Sequence, residues 1–91
     1  MLLMTTTPGI DGRPAKTVLG IVSGEAVAEI KGLDRQAEQN VHDTLLAAMA
    51  VMSARAEKQG ATAIVGVAFN IETLGPQAVR MVSATGTAVV L

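Results

Sequence analysis

Three stretches of this 91-residue chain carry side chains that could do chemistry. The first is GIVSGEAV at residues 20–27, where Ser23 and Glu25 stand among small and β-branched residues. A serine nucleophile needs a base within hydrogen-bond reach and a group to orient that base. The sole histidine, His42, belongs to a separate helical pattern. The stretch also lacks the G-x-S-x-G elbow and the glycine spacing of phosphate-binding loops. It therefore reads as strand. Glu25 is either exposed at a strand end or, if buried, in need of a cation, and Arg80 is the expected partner.

The second stretch holds Glu38, His42 and Asp43. Glu38 and His42 are four apart, so a helix places them on one face. Imidazole and carboxylate together suit zinc, copper or nickel better than an ion selected by thiolate. Two or three donors do not close a site unless symmetry brings copies together, and a solvated helix face is the plainer reading. The third stretch, Thr5-Thr6-Thr7-Pro8, either lines a polar pocket with hydroxyls or is a strand edge entering a turn. Met49 and Met52 sit on the apolar stripe of the same helix and read as core.

Composition narrows the classes. Hydrophobic residues make up 49% of the chain and charged residues 16%, against about 25% charged in an average domain. So short a chain buries only about two-thirds of its unfolded surface on its own. The excess apolar surface needs a membrane or another subunit. A spanning helix needs about 20 apolar residues in a row, and no run is that long. The N-terminus shows no basic residue before its apolar start, unlike a secretory signal. A cytoplasmic homo-oligomer remains. The absence of Cys excludes disulfides and thiolate metal sites. Scattered basic residues, a net charge of −1 and one aromatic residue offer no nucleic-acid surface.

The elements that must position these groups follow from periodicity. Residues 17–30 read as a long strand, and 2–6 as a short run before the turns at Pro8-Gly9 and Asp11-Gly12. Asp34 suits an N-cap and Gly60 a helix C′ position. Between them Val41, Leu45, Ala48, Met49, Met52 and Ala56 form one stripe, so a helix is expected over 35–59. Residues 61–72 and 78–91 read as two further strands joined through Leu74-Gly75-Pro76-Gln77 as an antiparallel hairpin. Strict alternation puts Val18, Val22, Gly24 and Ala26 on one face, with Ile64, Gly66 and Ala68, and with Val82, Ala84, Gly86 and Ala88. These small residues should meet the alanine-rich helix, and Gly66→Val should disrupt that contact. The opposite faces, with Ile21, Val27, Val67, Phe69, Ile71 and Met81, are expected to be apolar and to meet another subunit.

TTTP, GIVSGEAV, GATAIVGV and MVSATGTAVVL, in this order and spacing, resemble the YbjQ-like family over nearly the whole chain. That family is labelled heavy-metal-binding and is largely uncharacterised. The resemblance implies one domain over 1–91 with a dodecin-subunit-like α+β fold. In it a mainly antiparallel sheet of three to four strands packs on one long helix, and the subunits form a homopentameric ring. The chain departs from the family at 29–40, where a compact charged stretch replaces a longer glycine-containing segment. Dodecins hold flavins between tryptophans, and with no Trp here that function does not follow. The functional expectation is a metal- or small-ligand-binding protein with Glu38, His42 and Asp43 as available donors. A module without ligand is the alternative. An enzyme is disfavoured, because no nucleophile, base and orienter come together.

Overall fold

The computed structural model of the chain describes residues 2–29, 35–74 and 79–91. It is an α+β fold with strands β1 (Leu3–Met4), β2 (Thr17–Glu29), β3 (Ala63–Leu74) and β4 (Val79–Val90), and one helix, α1 (Arg35–Lys58). The expected Asp34 cap and the 75–77 turn lie outside the described residues. The four strands form one sheet in the order β1-β3-β4-β2. β4 pairs antiparallel with both β2 and β3, as the hairpin pattern predicts. β1 pairs parallel with β3, Leu3 opposite Ala63 and Met4 opposite Ile64. The sheet is therefore mixed. β2 and β3 run the same way with β4 between them, and α1 is the crossover that joins them.

The helix ends as its sequence predicts. Gly60 takes a φ of 87°, a conformation open to glycine at little steric cost. Its N–H donates to the Glu57 carbonyl at 3.0 Å, and the Ala61 N–H donates to the Ala56 carbonyl at 3.1 Å. This pair of bonds is the Schellman motif, and the buried C3 and C″ alanines, Ala56 and Ala61, complete it. Arg55 and Lys58 occupy the last turn, where cations meet the negative end of the helix dipole.

α1 packs on β2 and β4. Val22, Ala48, Met52, Ile64, Val82, Ala84 and Ala88 form the shared core. The contact is closest at Gly24, where a Cβ would collide with the Ala48 carbonyl oxygen and stand 2.5 Å from the Met52 amide nitrogen. Backbone lies against backbone there, so the glycine in GIVSGEAV is a packing residue. Met52 is fully buried, as expected of core, and Met49 partly so.

Two bulges correct the strict alternation. The β2–β4 register shifts between Val18 and Gly20, and the β3–β4 register shifts between Val65 and Ala68. A bulge adds a residue to one strand and reverses which face the following side chains take. Gly66 is therefore exposed, with open space where a Cβ would stand and a φ of 61°. It does not face the helix, and its glycine serves the backbone of the bulge. Residues opposite one another in a ladder share a face. Phe69 pairs with Ala84 and Ile71 with Val82, so both lie on the helix side, and Val67 joins the core there. Gly86 makes room, since a Cβ on it would come 2.6 Å from Ile64 Cγ2 and 3.3 Å from Val67 Cγ2. The outer face is in consequence less apolar than expected, with Ser23, Ser83, Thr85 and Thr87 across its middle.

Two glycines should thus fail for different reasons. Gly24→Ala is expected to cost about 1–3 kcal/mol, or more, because backbone atoms must move apart. At Gly66, Asn should be tolerated better than Val, since Asn enters the left-handed region more readily. Urea titration of the three variants checks both, and a Gly24→Ala protein as stable as wild type would contradict the close approach.

Candidate functional site

The helix ligand set is described in part. His42 and Asp43 are exposed on adjacent positions of α1. Glu38 belongs to the same helix, four residues before His42, and its side chain lies outside what is described. Among the described residues no group of three or more His, Cys, Asp or Glu side chains is placed to hold a metal. Closed metal sites are usually four-coordinate, so this donor set in one copy does not fit one.

Ser23 lies on β2 opposite Thr85, and His42 is exposed on the helix. Glu25 has a partner that the sequence reading missed. Arg55 Nη1 donates to its carboxylate oxygens at 3.1 and 3.3 Å and to the Ser23 backbone carbonyl at 3.0 Å. Arg80, the expected partner, is exposed and pairs across the ladder with Ala28 and Thr73 instead. Glu25 points to the outer face and β2 is an edge strand, so a residue of α1 reaches it only by passing round that edge. About half of each side chain is exposed, 51% for Arg55 and 48% for Glu25, which limits the strength of the pair.

The threonine run serves both readings at once. The Thr5 N–H donates to the Ile64 carbonyl, the Gly66 N–H to the Thr7 carbonyl and the Val67 N–H to the Thr5 carbonyl, all at 2.8–3.0 Å. The run thus continues the β1 edge and secures the β3 bulge. Thr5 and Thr7 share a hydroxyl–hydroxyl bond of 2.7 Å, and Thr7 Oγ1 donates to the Gly9 carbonyl at 2.6 Å. With Leu3, Ile10 and Asp11 they line an open groove of about 490 Å³.

Comparison with known proteins bears on this arrangement. A family model described as "Putative heavy-metal-binding", the first of the YbjQ models, matches residues 30–91. UPF0145 proteins of two Bifidobacterium longum strains are each 36% identical over 104 aligned positions, covering 98% of this chain and 94% of the relative. The alignment is longer than the chain, so these relatives carry positions that it lacks. A crystal structure from Pediococcus pentosaceus, of a protein of unknown function in the DUF74 family, superposes with a TM-score of 0.83. It is 17% identical and covers 99% of this chain and 97% of its own. At that identity it shows a shared fold.

The Arg55–Glu25 pair generates a measurable expectation. A double-mutant cycle with Arg55→Gln and Glu25→Gln should give a coupling of no more than about 1 kcal/mol. Arg55→Gln alone should cost more than Glu25→Gln, because it also removes the donor to the Ser23 carbonyl. Denaturant midpoints of the four proteins test the order.

Proposed function

This chain belongs to the YbjQ-like family, and from that membership we propose that it is a binding protein that works as a ring of identical subunits, in which a metal or small ligand is held. One observation carries the reading. Ile21 is 83% exposed, Val18 67%, Val27 61%, Ile71 46% and Phe69 38% in the single subunit. Large apolar side chains gathered on a small protein mark an interaction surface. α1 lies over β2 and β4 and leaves Phe69 and Ile71 uncovered on its own side of the sheet. Ile21 and Val27 stand on the outer face, beyond Val18, which lies beside residues 8–15. Two uncovered regions on opposite faces suit head-to-tail contacts, which close into rings when the rotation permits. The number five and the dodecin-subunit-like arrangement rest on the family resemblance.

Assembly also meets the shortage of donors. Glu38, His42 and Asp43 of several copies, meeting at a symmetry axis or subunit boundary, could supply a coordination set that one copy lacks. A ring that holds nothing and serves only as an interaction module is the second reading, favoured by the same exposed residues. Neither reading assigns a reaction to the chain. No described helix is long and apolar enough to cross a membrane, and a cytoplasmic location belongs to the same proposal.

Light scattering on a size-exclusion peak should give a mass of several subunits, five by the family pattern, and a monomer at micromolar concentration would overturn the reading. Native mass spectrometry of that peak separates a ligand-holding ring from an empty one. Zinc and copper titrated calorimetrically into wild type and His42→Ala should show weaker binding to the variant. Matching curves would remove His42 from the account.

A further inference from the structure

Residues 8–15 fold back over the outer face of the sheet as an arm, closed by the Arg13 N–H donating to the Ile10 carbonyl at 3.1 Å. Beneath the arm is a second, smaller hydrophobic cluster, separate from the helix-side core, built on Ala63, Val65 and Val89 with Ile10 and Leu91 packed against it. The arm does not fill the space it covers. A cavity of about 250 Å³ remains, with Val65 and Val89 against it from the sheet, Ile10 and Val18 at its sides, and Thr87 and Arg13 as its polar members. Arg13 is exposed, and its guanidinium has no ion-pair or hydrogen-bond partner among the described residues.

We propose that this cavity is a binding site for a small amphipathic anion, a carboxylate on a short aliphatic or aryl body. The apolar members suit the body, which leaves water on entering. A planar guanidinium matches a carboxylate with two parallel hydrogen bonds. The space is smaller than the roughly 300–1,000 Å³ of pockets for drug-sized ligands, which limits the body to a few carbons. The inference rests on the reading of this chain as a binding protein, but on neither metal nor assembly. Zinc calorimetry and the oligomer mass read those two separately.

The test is a titration of the purified full chain with sodium hexanoate, hexan-1-ol and acetate, followed by protein NMR shifts and calorimetry. Hexanoate should saturate, with shifts confined to the arm and the sheet beneath it, and acetate should bind far more weakly. Arg13→Gln should weaken hexanoate about tenfold, the value of a charged hydrogen bond, and change hexanol less than twofold. Ala15→Leu, which places bulk from the exposed arm into the cavity, should abolish both without altering the circular dichroism spectrum. Three outcomes would overturn the proposal: hexanoate that does not saturate, equal hexanoate affinity in wild type and Arg13→Gln, or full hexanoate binding in Ala15→Leu.

Discussion

The fold depends on how closely α1 can lie on the sheet at Gly24. Ala48 and Met52 bring helix backbone to within contact distance of strand backbone, so their neighbours must be small or fit the remaining gap. Ala56, Ala84 and Ala88 are fully buried for this reason, and Met52 and Ile64 provide the bulk at the margins. A chain with one aromatic residue cannot fill a thick core, and a thin one suits it. The helix then covers the two strands it touches and leaves apolar side chains beyond its width uncovered.

Much of this was legible beforehand because it rests on local periodicity. The stripe from Val41 to Ala56 and the glycine at position 60 place α1 to within a residue of its observed C-terminal end. The Val82, Ala84, Gly86, Ala88 alternation lies on the strand with no bulge of its own, and it holds along its length. β2 and β3 each contain an irregularity, and one extra residue reverses every face after it. Val67, Phe69 and Ile71 were assigned to the wrong side for that reason. A glycine in a β-branched run signals a bulge as readily as a close approach. Gly66 and Gly24 look alike in sequence, and only the ladder tells them apart.

The site was less legible than the fold. The sequence marks Glu25 as a carboxylate in need of a partner, but it points to Arg80 on the hairpin. Arg55 reaches it only because β2 is the edge of the sheet and α1 ends beside it, a matter of tertiary placement that spacing does not encode. The arm over the outer face was read merely as turns, since Pro8-Gly9 and Asp11-Gly12 say where a chain bends and not what it covers. The family was legible from whole blocks of sequence. A metal centre shared among copies has no signature within one copy beyond Glu38, His42 and Asp43.

The placement of β4 has a consequence for how the protein is made. It follows β2 and β3 in sequence and is the inner partner of both. β2 and β3 are not paired with each other, so until residues 79–90 are made β2 has no strand partner and β3 has only the short β1 and the threonine run beside it. Until then the nascent chain carries two long β-branched segments whose edges toward β4 are unpaired, the kind of surface on which unfinished chains associate wrongly. Completion of the sheet thereby waits for β4, and the contacts of the fold are mostly between residues far apart in sequence, which slows it further. A chain held short of β4 would keep α1, β2 and β3 without the strand that joins β2 and β3 into one sheet.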